Sequence, residues 1–288
     1  MRDIITLLRP HQYIKNLFIF APAIFAFNFS LDVFEQLFYT FLLFSMVASS
    51  IYVVNDLLDV EEDKKHPTKK YRPIASGGVS KKEAKLIVFI LSGFVFLTSF
   101  LFNIKLFFVL CVYFILNILY SYKLKHIAIV DIFIISTGFV LRLFAGALVV
   151  NIELSMWIII ITFLLAIFLS LAKRRDDVLL SLSGKETRKN IDGYNLEFVN
   201  SAMVLMAGVV IVSYIQYTVS PEVIERIGTS HLYLSAFFVI LGILRYMQIT
   251  FVEQKSGSPT KIVLKDRFLQ ITILLWLVSF IVLVIGGK

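Results

Sequence analysis

The feature that most constrains this chain is a succession of apolar runs of about 18 to 22 residues, each long enough for a helix to cross roughly 30 Å of hydrocarbon. Their number leaves no soluble core large enough to bury them, so the bilayer is the solvent and the backbone must satisfy itself within helices. Composition agrees: 58% of the 288 residues are hydrophobic, 17% are charged and the mean hydropathy is +0.85. The reading is an all-α polytopic membrane protein, one integral domain over 1–288. Cys111 is the single cysteine, which excludes a disulfide scaffold and a cysteine-based zinc site. The runs lack the alternation of an outer-membrane barrel.

Hydropathy predicts nine spans, near 16–28, 36–54, 84–102, 105–119, 127–150, 155–172, 199–220, 231–251 and 268–286, with the fourth separated from the third only at 103–105. With the N-terminus inside, the inner segments carry most of the 28 Lys and Arg, and the outer connections hold only Lys105, Arg226 and Lys288. This asymmetry orients the protein in the inner or plasma membrane, with the N-terminus and the long loops cytoplasmic. The stretch before Ala21-Pro22-Ala23 is too short for a cleavable leader and runs into a span. Residues 3–13 mix Ile4, Ile5, Leu7 and Leu8 with Arg9 and His11, and read either as an amphipathic surface helix or as a frayed basic tail. The net charge of +8 follows from topology and anionic lipid and does not indicate nucleic acid. The 28 Phe sit inside spans as packing or lipid-facing residues.

Two inner segments, 55–83 and 173–198, are long and rich in both charge signs, which topology alone does not require. Each follows a hairpin of spans, which suggests two four-helix halves around a central cavity open to the cytoplasmic side. The first opens with Asn55-Asp56-Leu57-Leu58-Asp59-Val60-Glu61-Glu62-Asp63. On a continuous helix Asp56, Asp59 and Asp63 fall within an arc of about 60°. Such crowding is unfavourable without cations. Hard oxygen ligands suit Mg²⁺, and Mg²⁺ suits diphosphate. A solvated helix end neutralised by Lys64 and Lys65 remains the alternative. Next comes His66-Pro67-Thr68-Lys69-Lys70-Tyr71-Arg72-Pro73, leading to Gly77-Gly78. Cations beside carboxylates, with turn residues between, supply both halves of a diphosphate site, though a basic topological loop would share this composition.

The Asn-Asp-x-x-Asp-x-x-x-Asp run ending the second of nine spans resembles the UbiA superfamily of intramembrane prenyltransferases. HPTKKYRPIASG, with RPHQYIKN at 9–16, is most similar to its decaprenyl-phosphate phosphoribosyltransferase branch. The likeness extends to YSYKLK at 120–125, to the stretch from Asp131 to Arg142 and Gly146, and to LAKRRDD at 171–177. The resemblance implies transfer of 5-phosphoribose from phosphoribosyl diphosphate to a polyprenyl phosphate with release of diphosphate. It implies Mg²⁺ on Asp56, Asp59 and Asp63, with Asn55 orienting them, and donor phosphates on Lys69, Lys70 and Arg72. Family prenyltransferases carry a second Asp-rich motif after the sixth span. Here that place reads Lys173-Arg174-Arg175-Asp176-Asp177. Lys173, Arg174 and Arg175 are thereby implied to bind the lipid phosphate, while Asp177 stands where the branch has Glu.

Asp131 and Arg142, eleven residues apart, share a helix face inside the membrane. Asp131 is a candidate for the ligand side, and Arg142 either binds ligand or ties helices together. Tyr120, Lys123 and Lys125 close the fourth span, as phosphate contacts or snorkelling side chains. Lys15 and Asn16 open the first; they resemble family positions that face the cavity, with an interfacial anchor as the alternative. Gln216 and Arg245 read as helix-packing or interfacial residues. Two other functions share parts of the pattern: a prenyltransferase moving a prenyl chain from prenyl diphosphate to an aromatic or other acceptor, and a lipid-binding or transport protein. Oligomeric state is open to either a monomer or a homo-oligomer.

Overall fold

The computed structural model describes residues 2–66, 68–183, 191–255 and 257–286. Pro67 of the expected turn, residues 184–190 of the second charged segment and Lys288 among the outer charges lie outside the described residues. All regular structure among the described residues is helical. Eight helices are long and apolar enough to cross a membrane, as a multi-pass membrane protein requires. The chain divides into two compact units, Met1–Leu154 and Ser155–Lys288, each with four of these helices.

The first unit begins with helix α1 (Arg2–Leu8). It ends at Arg9, whose φ of 55° and ψ of 55° are left-handed, so the amphipathic helix expected over 3–13 stops short. Pro10 then starts a 3-10 segment, Pro10–Phe20, followed by α2 (Ala21–Ala26). The expected span 16–28 is therefore this broken element and is not among the eight long helices. At rises of about 2.0 and 1.5 Å per residue, the 3-10 and α portions together extend about 30 Å. The long helices are α3 (Leu31–Leu58), α5 (Lys81–Phe102), α6 (Ile104–Tyr122) and α7 (Val130–Val149), and a short α4 (Val60–Lys65) follows α3. The predicted separation of the third and fourth spans stands, and Asn103 alone makes it. Its extended backbone ends α5, and its Oδ1 accepts from the Leu106 N–H at 3.1 Å to cap α6.

Packing in this unit centres on α3. Leu37, Leu43, Phe44, Val47, Ala48 and Ile51 bury against Ile19 and Ala23 of the N-terminal element and Leu106, Leu110 and Tyr113 of α6. α5 stays peripheral, with Phe89, Leu97 and Leu101 exposed to the hydrocarbon. The 3-10 segment lies against α7 so closely that a Cβ on Gly146 would fall 2.0 Å from the Ile19 carbonyl oxygen. A small residue that admits neighbouring backbone is how membrane helices approach one another.

The second unit comprises α8 (Met156–Leu182), α9 (Leu196–Val219), α10 (Pro221–Ile227), α11 (Ala236–Phe251), α12 (Pro259–Lys265) and α13 (Arg267–Gly286). Tyr214 of α9 joins Ser235 at 2.7 Å and accepts from Trp276 Nε1 of α13 at 2.8 Å. At the other end Arg245 of α11 donates to Asp266 at 2.6 Å and to Glu253 at 3.0 Å, and Asp266 Oδ1 accepts from Leu269 N–H at 2.8 Å, within the first turn of α13. Of the two alternatives its sequence leaves open, helix-packing or interfacial, Arg245 shows the first, tying α11 to the start of α13. Hydrogen bonding from Arg245 holds the Asp266 carboxyl below the usual carboxylate range. The tie therefore contributes fully above about pH 4, the unfolded value, and is lost only as pH falls through the lowered folded value. Asp266→Ala is expected to cost about 1 kcal/mol, read as a lower Tm in detergent at pH 7. An unchanged Tm would remove this tie from the account.

Candidate active site

The charged end of the first unit is built on a defect in a helix. α3 runs through Asn55 and Asp56, is interrupted at Asp59 (φ −93°, ψ 4°) and resumes as α4. The expected single face of three carboxylates is thereby corrected. Aspartate favours such breaks because its short side chain competes for local hydrogen bonds, and this one sends Asp59 elsewhere. Asp59 Oδ1 meets Lys125 Nζ at 2.5 Å, and its Oδ2 accepts from the Asn55 amide at 3.1 Å. Asp56 and Asp63, 1% and 2% exposed, instead converge on one guanidinium. Arg72 Nη1 lies 3.0 Å from Asp56 Oδ1 and 2.7 Å from Asp63 Oδ2. Among the described residues no group of three Asp, Glu, His or Cys side chains is close enough to hold a metal ion.

The polar loop that delivers Arg72 rests on apolar contacts. Leu7 of α1, Val53 of α3, Val60 of α4, and Ile74, Val79 and Ala84 form one buried cluster beneath it. Its backbone is closed by Ser76 N–H to Arg72 carbonyl and Val79 N–H to Pro73 carbonyl, both 2.9 Å, and turns at Gly77 with φ 83°. Gly78 lies against the N-terminus, where a Cβ would meet Asp3 Oδ2 at 3.0 Å. Lys70 is exposed over the Tyr71 ring, Lys69 is half-buried with contacts of its own, and Lys123 ends α6 facing out. Tyr120 is likewise engaged.

Arg9 is a site residue to which sequence reasoning, though it quoted Arg9 within RPHQYIKN and the amphipathic stretch, gave no role of its own. Its Nη2 donates to Asp56 Oδ1 at 2.6 Å and its guanidinium lies 5.2 Å from the Tyr52 ring centre. The signal available was the Arg-Pro pair, since a residue before proline is poorly suited to continuing a helix. Ser49 fixes this corner, donating to the Leu8 carbonyl at 2.8 Å and meeting the Tyr13 hydroxyl at 2.8 Å. With both cations on Asp56 Oδ1, Oδ2 is buried and has no hydrogen-bond partner.

Deeper in this unit Arg142 gathers four elements. It donates to Asn16 Oδ1 at 2.8 Å, to the Gly138 carbonyl at 2.6 Å and to the Tyr113 hydroxyl at 3.0 Å, and it lies over the rings of Phe44, Tyr113 and Phe139. Asn16 passes the connection to Ser45 at 2.9 Å. The helix-tying alternative for Arg142 is what the structure displays. Asp131 is fully buried near the start of α7 and is engaged with its surroundings.

In the second unit the expected loop beginning at 173 is corrected: α8 continues to Leu182, so Lys173, Arg174, Arg175 and Asp177 occupy helix. No Gly or Pro interrupts 156–182, and Lys and Arg are good helix formers. Buried Arg174 bridges to Asp177 one turn on. Arg175 turns into the unit, donating to Asn200 Oδ1 at 2.9 Å and the Thr250 carbonyl at 2.7 Å beside the Phe251 ring. It joins α8, α9 and α11 as a packing residue, and Lys173 is half-buried.

Residues 17–182 match the UbiA prenyltransferase family. The chain belongs to that family. Curated relatives similar to it over most of its length include the decaprenyl-phosphate phosphoribosyltransferases of Mycolicibacterium smegmatis, 32% identical over 95% of this chain and 90% of the relative, and of Corynebacterium glutamicum, 30% identical over 96% and 85%. Among solved structures, a UbiA homolog from Archaeoglobus fulgidus bound to DMAPP and Mg²⁺ aligns with TM-score 0.71 over 98% of this chain and 99% of that one, at 18% identity. That likeness concerns the fold. Asp56 presents a buried carboxylate oxygen with no partner, and Arg72 joins it to a second buried carboxylate, Asp63. Hard oxygen donors of this kind suit Mg²⁺.

Proposed function

We propose that this UbiA protein transfers 5-phosphoribose from phosphoribosyl diphosphate to a polyprenyl phosphate of decaprenyl type, releasing diphosphate. The observation that carries the reading is near full-length similarity to relatives named for that activity, at 29–32% identity. Lys173 and Arg174, in the place where family prenyltransferases carry a second Asp-rich motif, support a monophosphate acceptor.

In the reaction the bond from the anomeric carbon to the diphosphate oxygen breaks, and a bond from that carbon to an oxygen of the lipid phosphate forms. The product is a phosphodiester. Positive charge grows on the ribose and negative charge on the leaving group, so catalysis rests on groups already aimed at the diphosphate. Arg72, Lys69 and Lys70 bind its oxygens, and Asp56 and Asp63 would hold Mg²⁺, which neutralises leaving-group charge. Asn55 and Lys125 fix Asp59 at the rim. Lys173 and Arg174 position the lipid phosphate, which is largely anionic near pH 7 and needs no strong base. The apolar cluster beneath the loop holds it in place, and water must be kept from the reacting carbon because its attack would waste the donor. The charged ends and the N-terminus face the cytoplasm, where the soluble donor is found.

The test is incubation of purified protein in detergent with labelled phosphoribosyl diphosphate, a polyprenyl phosphate and Mg²⁺. Label is expected in the organic phase, and a chelator is expected to reduce it at least about a hundredfold. Consumption of a prenyl diphosphate with no lipid labelling would assign the prenyl-transfer reading instead.

A further inference from the structure

Gly257, on the connection from α11 to α12 in the second unit, lies against the charged turn of α8. A Cβ there would overlap Asp176 Oδ2 and sit 3.0 Å from its Cγ, so the Asp176 carboxylate fills the space that any other side chain would need. The connection is held on both sides of this contact. Val252 and Lys255 N–H donate to the Gln248 and Ile249 carbonyls at 2.9 and 3.2 Å, and Glu253 meets Arg245 at 3.0 Å. Beyond α12 the same arginine holds Asp266 at 2.6 Å. The charged residues that follow Lys173 on α8 are all directed away from one another's partners: Arg174 bridges to Asp177, Arg175 turns to Asn200 and the Thr250 carbonyl, and Asp176 rests on Gly257. Asp176 is half-buried, and among the described residues it has neither a hydrogen bond nor an ion pair. A helical side chain leans over the residue three positions before it, which for Asp176 is Lys173. Opposite charges at that spacing are favourable neighbours, yet this carboxylate lies on the backbone of another segment instead.

We infer that Gly257 is a positioning residue for the acceptor: its missing side chain gives the Asp176 carboxylate a place to lie and so keeps that negative charge off the turn that receives the lipid phosphate. The inference rests on the proposed placement of that phosphate at Lys173 and Arg174. Residues 173–177 hold three cations and two carboxylates, and where the carboxylates lie decides whether an arriving phosphate meets positive or negative charge. Asp177 is drawn to Arg174. Asp176 is withdrawn by Gly257. A methyl group at 257 would have to displace either the connection or the Asp176 side chain. Because the connection is tied at Arg245 and at the end of α11, the side chain yields, and the staggered rotamers open to it on a helix return it towards Lys173. An anion would then stand where the phosphate approaches, and like charges brought together in an anion subsite weaken binding.

The test measures KM for both substrates in the lipid-labelling assay, with Tm in detergent as the fold control. Gly257→Ala is expected to raise KM for polyprenyl phosphate about tenfold and to leave KM for phosphoribosyl diphosphate within about twofold. Adding Asp176→Asn to Gly257→Ala should bring the acceptor KM back to within about twofold of wild type, because the amide keeps the bulk of the side chain and loses its charge. A purely steric role for Gly257 would leave the double variant as impaired as Gly257→Ala, and that result overturns the inference. So does an unchanged acceptor KM in Gly257→Ala, or a rise shared equally by the two substrates. A second pair leaves Gly257 in place: Asp176→Glu, whose carboxylate is one methylene too long for the space, should raise the acceptor KM, and Asp176→Gln, of the same length without the charge, should not. Equal effects of these two substitutions also refute the inference, and the pair decides the matter if Gly257→Ala lowers Tm too far to assay. Wild-type protein that labels no lipid at all rejects the proposed function itself, an outcome separate from these.

Discussion

Asp56→Asn is expected to lower turnover by roughly a hundred- to thousandfold while the protein still inserts and folds. Asparagine is nearly isosteric and retains an acceptor oxygen for Arg9 and Arg72, which meet Asp56 Oδ1 at 2.6 and 3.0 Å. Arg72 also keeps its contact with Asp63 at 2.7 Å, so the loop should remain docked over Val53, Val60 and Ile74. What is lost is the negative charge and the buried Oδ2, which has no protein partner. An amide nitrogen there would present a donor to a cation. The measurements are initial rates across a Mg²⁺ titration, with Tm in detergent as the fold control. Near-wild-type rates at saturating Mg²⁺ would remove Asp56 from the proposed metal role. A Tm collapse would assign it to structure.

The extent to which such a site could be read from sequence varied from one residue to the next. The acidic run, the basic loop and the break at Asn103 are local patterns, and helical spacing or capping chemistry makes each visible. The pairing inside the acidic run is not local. Asp56 and Asp63 come together because Arg72 folds back between them, and Asp59 departs because Lys125, from the 3-10 turn Leu124–His126 after α6, reaches it. Hydropathy has the same blind spot at both ends of a span. It cannot separate a 3-10 segment from an α-helix over 10–20, nor show that α8 carries its cations on helix to Leu182. Arg9 escaped because an amphipathic pattern absorbs any arginine, and only the following Pro10 hints at a turn.

The N-terminal element is the part of the first unit where sequence reasoning had least to offer, and its docking carries the largest structural prediction. Gly146→Val is expected to destabilise the protein by about 3 kcal/mol or more and to suppress turnover with it. The Cβ alone would sit 2.0 Å from the Ile19 carbonyl oxygen and 2.9 Å from its carbon, against backbone that cannot rotate away as a side chain can. Relief requires the segment Pro10–Phe20 to move off α7. That segment carries Asn16, whose carbonyl oxygen accepts from Arg142, and it follows directly on Arg9, which reaches Asp56. Moving it therefore opens the Arg142 hub and withdraws a cation from the acidic turn in one step. Gly208 offers the matched control, because a Cβ there meets nothing within 4 Å, and Gly208→Val should leave both Tm and rate close to wild type. If Gly146→Val were as stable and active as Gly208→Val, the close approach of the 3-10 segment to α7 would have no part in holding the site together.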